Sequence, residues 1–310
     1  MTAQRFKFAS APNSWGVLDY QSPSWEQSYQ KMLDEMVSAG YTGTELGPYG
    51  FLPTDAKVLA PELAQRNLTM LGSFVPVVLS DPASTKVVVE RIRAVGGLLA
   101  ALKAPFLVLA DAYSEARDRI AGRVPRDGSQ GLTAEQWKQV AKVVAEAAQV
   151  AEEFGLGLVF HPHTSTYVET PEETEQLFDA TSGSKMGLCL DTGHWTFSGG
   201  DPVTGAEKFR EVLKFVHIKD VDAKVMAEAR GKQMNFAQAI AANLFTIIGQ
   251  GSVDFPAFFS VLKKIGYSGW MVVEQDVTYG ETVTPPVESV AASLKYLQGA
   301  AAPFEELKAQ

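Results

Sequence analysis

The chain contains four histidines, His161, His163, His194 and His217, and each stands where an apolar run turns polar. They fall in VFHPHTSTYVET, CLDTGHWTFSGG and FVHIKD, and a further run, GWMVVEQ, turns polar in the same way at Glu274. Imidazole nitrogens and carboxylate oxygens carried by neighbouring strands can meet around one cation when those strands converge on a common opening. The i, i+2 spacing of His161 and His163, and of His217 and Lys219, puts both side chains of each pair on one strand face. One of each pair can then ligate while the other meets a substrate. A nitrogen and oxygen set without thiolates suits Mn2+, Co2+, Fe2+, Zn2+ or Mg2+ without choosing among them, and Mn2+ or Co2+ is the expected ion.

Positioning such groups requires elements that repeat. Apolar runs of strand length alternate with longer helical patterns along the whole chain, the rhythm of parallel β/α units. The strands read as FKFAS, TGTELG, LTMLGSF, FLVLAD, LGLVFH, MGLCLD, KFVHIKD and GWMVVEQ. Eight such units predict an α/β fold, a (β/α)8 TIM barrel, with residues 1–310 forming a single domain. Between them, SWEQSYQKMLDEMVSAG reads as a helix ending on Gly40. VVVERIRAVGGLLAALK has apolar residues at helical spacing. GLTAEQWKQVAKVVAEAAQVAEEFG is expected to open with Thr133 as its N-cap and to close on Gly155. The strands are nearly all apolar until their last residues, so the chemistry belongs at their carboxyl ends. The longest segments outside the repeat, about residues 111 to 132 and 220 to 252, follow strands and should overhang that end. GxGxxG is absent after the first strand, which argues against a dinucleotide-binding open sheet.

Composition narrows the partners. The formal charge of −9 disfavours nucleic acid, whose binding rests on basic groups neutralising phosphates, and a small neutral substrate suits it better. A hydrophobic content of 46% supplies a sizeable core, with no run apolar enough to span a bilayer. The start MTAQRFKFASAP lacks the apolar run of a secretory signal, so a cytoplasmic location is expected. The single cysteine, Cys189 in MGLCLD, excludes internal disulfides and thiolate-rich zinc sites and is expected in the core.

Together these segments resemble the xylose-isomerase-like barrels of sugar isomerases, epimerases and dehydratases, and within them most closely the inosose dehydratase branch. The likeness spans APNSWG, GTELG, LDTGHWTFSGGDP, HIKD, NFAQAIAANLFTIIGQGSVDF and GWMVVEQD. It implies a metal held by side chains from strands five to eight, which carries over to Asp191, His217 and Glu274. At the strand-five position the chain has His161 where the superfamily has glutamate, and His161 or His163 could fill that place. For Glu274 the other expectation is an ion pair with Lys219.

The resemblance also implies elimination of water from a polyhydroxy ketone, a keto-cyclitol or 3-keto-sugar, through an enolate. Lys219, His163 and His194 are the candidates for proton transfer, and Glu45 for substrate hydroxyls or a share of the base role. Asn13, Trp15, Gln250 and Arg230 are candidates for substrate contact, while Gly249-Gln250-Gly251 also reads as a tight turn. A ketose isomerase or epimerase, or an enzyme eliminating an aglycone from a 3-keto-glycoside, would use similar groups. An epimerase wants carboxylates on both faces of its substrate, so histidine on strand five favours elimination. Homo-oligomers are expected from the resemblance alone.

Overall fold

The computed structural model describes residues 6–18, 27–278, 280 and 284–305. Five residues of the chain's start, and the first three of the expected helix from Ser24, lie outside them. The strands are β1 (Phe6–Ser10), β2 (Gly43–Thr44), β3 (Thr69–Met70), β4 (Phe74–Val77), β5 (Phe106–Asp111), β6 (Gly157–Phe160), β7 (Gly187–Asp191), β8 (Leu213–Ile218), β9 (Asp220–Val221), β10 (Phe245–Thr246) and β11 (Gly269–Val273).

Nine of these form one sheet in the order β3-β2-β1-β11-β8-β7-β6-β5-β4, and every pairing in it is parallel. The two ends of that list are consecutive in the chain. Residues 69–70 pair with β2 and residues 74–77 pair with β5, so one expected strand, LTMLGSF, is shared between both edges and the sheet closes on itself. The barrel predicted from the β/α rhythm is therefore present, with its third strand divided. Closure removes free edges, and the helices cover the outside.

The strands are apolar because both faces are buried. Inside the barrel, Ala9, Leu71, Val108, Val159, Cys189, Phe215 and Val272 form one cluster, which places the lone cysteine in the core as expected. Outside, a larger cluster joins strands to helices. The helix Ala134–Glu153 begins at Thr133 with a capping box to Gln136, and Gly155 follows it at φ +70°. A residue with a side chain would be strained there.

The two long segments do gather over the carboxyl ends of the strands. Residues 112–132 carry one short helix, Glu115–Asp118, and residues 219–252 carry β9, β10 and the helices Ala223–Gly231 and Phe236–Ala241. Ala121, Phe197, Val221, Phe236, Ile240 and Phe245 pack these pieces into a small apolar core of their own. Among the described residues no helix is long and apolar enough to cross a membrane.

Candidate active site

A cavity of about 380 Å3 opens at the carboxyl ends of the strands. Apolar side chains, among them Leu18, Phe74, Pro76 and Phe236, form one part of its wall. Asn13, Glu45, His161, His163, His217, Lys219, Glu274 and Asp276 line its polar part, with Asp111, Tyr113, Thr164 and Thr166 beside them. The parallel register brings them together: Asp191 pairs across with His217, His217 with Val272, and the Glu274 amide donates to Ile218 at 2.9 Å.

Asp191 ends β7 and caps the helix Thr192–Phe197, its Oδ1 accepting from the Gly193 and His194 amides at 2.8 Å each. Gly193 has no room for a side chain, since a Cβ there would collide with Lys219 Cβ and approach Phe245 to 2.8 Å. The other oxygen, Oδ2, takes Lys219 Nζ at 2.8 Å and stands 3.5 Å from His161 Nε2. Burial favours the neutral acid, yet the Lys219 ammonium and the neighbouring imidazoles outweigh it and hold Asp191 well below the ordinary carboxylate range.

Lys219 is the centre of charge. Its ammonium also pairs with Glu274 and lies 3.9 Å from Asp276 Oδ1. Burial disfavours the cation, but Asp191, Asp276 and Glu274 together keep it protonated well above its usual range. The expected Lys219–Glu274 ion pair is thus present. Two sets of donors flank it, each with ligand atoms within 4.8 Å of one another: His161, Asp191 and His194 on one side, Glu45, His217 and Glu274 on the other. The four groups expected around a single ion are therefore divided between two sets, with the ammonium between them.

The imidazoles are fixed by their partners. His217 Nε2 lies 3.2 Å from Glu45 Oε1, and its Nδ1 lies 3.2 Å from Glu274 Oε2. Burial opposes a charge on that ring, but Cys189, Glu274 and Glu45 raise its affinity for a proton. His163 Nδ1 sits 2.7 Å from the Thr164 carbonyl, which can only accept, so Nδ1 carries the proton and Nε2 keeps a lone pair. Burial, helped by His161 and Lys219, pushes His163 down to about 3. His194 lies behind it with ring centroids 3.9 Å apart. Its Nδ1 accepts from Thr164 at the amide, 3.4 Å, and at the hydroxyl, 2.9 Å, which leaves the proton on Nε2.

Three other sequence candidates stand outside the cavity wall. Trp15 is buried against the helix Tyr29–Ser38, its Nε1 donating to Glu35 at 2.8 Å. Gln250 is exposed in the Gly249–Gly251 turn, where Asp220 accepts from the amides of Gly249, Gly251 and Val253. Arg230 caps the end of the helix Thr192–Phe197 by donating to the Phe197 carbonyl at 2.9 Å, and the adjacent Glu228 and Lys232 pair with each other at 2.5 Å in solvent. None of the three touches the cavity: Trp15 packs against a helix, Gln250 lies in the tight turn its flanking glycines suggest, and Arg230 serves a helix end. Asn13 does reach the cavity.

Asp276 escaped the sequence reading although it follows Glu274 at the same i, i+2 spacing as the two pairs that were noticed. Asn13 Nδ2 donates to its Oδ1 at 2.6 Å. Burial, with Glu274 and Asp191 as like charges, pushes Asp276 up to about 6 against the opposing pull of Lys219. Asp111, at the end of β5, was also missed. It clips the cavity's rim by accepting from the Leu79 and Tyr167 amides at 3.3 and 3.0 Å.

The donor set suits a divalent cation. His161 Nδ1 is buried without a hydrogen-bond partner, neighbouring cations hold Asp191 and Glu274 in their ionised form, and the Lys219 ammonium already occupies a cation's position between Asp191 and Glu274.

Comparison with known proteins agrees with this architecture. The family model described as "Xylose isomerase-like TIM barrel" matches residues 33–300. The chain is 34% identical over 273 residues to the rhizopine catabolism protein MocC of Rhizobium meliloti, covering 87% of this chain and 81% of that protein. It is 30% identical over 304 residues to an inosose dehydratase of Clostridium tetani, covering 96% and 98%. Among solved structures, the IOLI protein with a bound zinc atom superposes with a TM-score of 0.73 at 17% identity, covering 97% of this chain and all of the other.

Proposed function

Because the chain belongs to the xylose isomerase-like TIM-barrel family, we propose that its cavity dehydrates a keto-cyclitol or a 3-keto-sugar, as a metal-dependent hydro-lyase of the inosose dehydratase kind. Full-length likeness to proteins named inosose dehydratase supports the reaction class. The observation that carries it in the geometry is an asymmetry of protons. One wall of the cavity offers a neutral imidazole, His163, with its Nε2 lone pair free, and another offers an ammonium, Lys219.

An elimination consumes that complement. Removing the hydrogen beside a ketone breaks a C–H bond, and the proton passes to His163 Nε2. The electron pair is delocalised onto the ketone oxygen as an enolate and then forms the new C=C bond as the β-hydroxyl departs, taking a proton from Lys219 Nζ to leave as water. His163 then gives up its proton to solvent and Lys219 regains one. The substrate has lost one water and the protein is unchanged. His194 is not part of the cavity wall and has no share in the transfers.

His161, Asp191, His217 and Glu274 would hold a divalent ion, Mn2+ or Co2+ ahead of Mg2+, Fe2+ or Zn2+. When bound, such an ion supplies positive charge to the oxygen on which the enolate charge develops. Glu45 keeps His217 oriented through Nε2, the carboxylate–imidazole arrangement that fixes a ligand's tautomer. It acts through His217 rather than as the base.

The test is turnover of 2-keto-myo-inositol, a 3-keto-glucoside and free ketohexoses by metal-loaded protein. A new ultraviolet band from an unsaturated carbonyl product, with the cyclitol or the 3-keto-sugar, is expected. Epimerised sugar without that band would overturn the proposal.

A further inference from the structure

We propose that the ring this cavity takes carries one apolar substituent of several carbons on a ring oxygen, laid along an apolar track formed by Phe74, Pro76 and Val78. This rests on the cavity being a cyclic polyol site, as argued above, and adds what the ring carries.

Side chains alternate between the two faces of a strand. Val75, Val77 and Leu79 are buried in the outer core, so Phe74, Pro76 and Val78 take the inner face. They climb from the reacting groups to solvent. The Phe74 ring stands 5.5 Å from that of His161 and 5.3 Å from that of His163, Phe74 and Pro76 line the cavity, and Val78, next along this face, is 43% exposed. The steps from Phe74 to Val78 span about 13 Å of extended chain, longer than one cyclitol ring is wide. Neighbouring loops continue the surface. After β5 the residue Tyr113 lines the cavity and is 57% exposed, and after β2 Pro48 lines it with the exposed Tyr49 next in the chain.

A hydroxyl pressed against this track would lose water and find neither donor nor acceptor, a cost that an apolar group escapes. Phe74, Pro76 and Val78 have no polar side-chain atom, and Pro76 has no amide hydrogen. Asp111, the acid at the end of β5, already accepts from the amides of Leu79 and Tyr167. The Tyr113 hydroxyl donates to Asp118 at 3.0 Å, so that polar end is also engaged. Across the closed barrel from β4 lies β8, which brings Lys219 to the same cavity. A ligand that is a polyol on one side and apolar on the other matches both walls, its substituent leaving toward solvent past Val78. Exposed apolar side chains that run on from a ligand cavity mark a binding surface rather than scattered surface residues.

The experiment is calorimetric binding of the mono-O-methyl, mono-O-butyl and mono-O-hexyl ethers of myo-inositol, prepared at each ring oxygen, to metal-loaded wild type and to Val78→Asp. These ethers lack a ketone and do not react. Val78 is exposed, and a matching melting profile certifies the fold of the variant. For ethers at one ring oxygen, affinity is expected to rise about twofold to fourfold with each added methylene, the size of burying that group. Val78→Asp should keep the gain from methyl to butyl, beside Phe74 and Pro76, and lose the gain from butyl to hexyl. No dependence on chain length at any ring oxygen, or an unchanged gain from butyl to hexyl in the variant, overturns the track. A wild-type dimer that Val78→Asp dissociates, with chain length having no effect, assigns this face to a second copy of the chain and overturns it too. Turnover of 2-keto-myo-inositol without chain-length dependence sinks this inference alone. Chain-length-dependent binding without turnover of any ketone sinks the dehydratase proposal alone. No binding of any ether and no turnover removes both.

Discussion

Asp191 has two tasks that a single substitution removes together. Its Oδ2 pairs with the Lys219 ammonium while its Oδ1 caps a helix. Asp191→Ala is expected to abolish metal binding and turnover, and also to lower stability by about 1 kcal/mol through the lost cap, measured by metal analysis beside thermal melting. Lys219→Ala separates the roles: metal content stays at the wild-type level while kcat falls by about 10^2- to 10^4-fold, the size of a lost general acid. Full activity in either variant sinks its assignment. At this scale much was legible, because strand periodicity alone puts His161, Asp191, His217 and Glu274 at one end of neighbouring strands. The sequence offered a Lys219–Glu274 pair but not that the same ammonium would also reach Asp191, since the i, i+2 rule gives a face and not a distance. Asp276 obeyed the same rule and was still overlooked, its partner Asn13 being 263 residues away.

Elements around the mouth depend on buried carboxylates that clip backbone amides. Asp220 of HIKD accepts from the amides of Val221, Gly249, Gly251 and Val253, and a side chain at Gly251 would collide with it. Asp220→Ala should cost about 3 kcal/mol or more, since several buried amides lose a charged acceptor, and a denaturant titration reads it. Glu169 accepts from the Gly122 and Ser165 amides at 2.7 and 2.8 Å. Burial pushes it up to about 7, and pushes Asp111 up to about 6. Both folded values lie above the ordinary 4.5 and 3.8, so their contribution is fully present below pH 4 and is lost as pH rises through 6 and 7. Hydrogen exchange, corrected for intrinsic rates, should show the amides of residues 112–126 and 163–170 opening more easily at pH 8 than at pH 5. Greater protection at pH 8 contradicts this. The loops were also where sequence reasoning was weakest. Arg230 and Gln250 belong to segments whose direction is set by their own apolar core around Phe236 and Phe245, and no periodicity reports which way such a segment turns.

The whole molecule holds its mouth in shape from below. Phe215 stands inside the barrel, fully buried, with its ring 5.3 Å from that of His217 and 4.8 Å from Phe106. Phe215→Ala should remove about 3–5 kcal/mol of stability and lower kcat/KM as His217 loses support, with melting and steady-state kinetics as the readouts. Closure of the barrel was readable from eight β/α units, whereas the division of the third strand between two edges was not, because a three-residue interruption leaves no mark on an apolar run. The most direct test of the account is nuclear magnetic resonance of 2-keto-myo-inositol incubated with metal-loaded protein in deuterated water. The account predicts loss of one water, a new conjugated product, and dependence of both on His163 and Lys219. Deuterium appearing beside the ketone, or an inverted carbon, with every hydroxyl retained would contradict it.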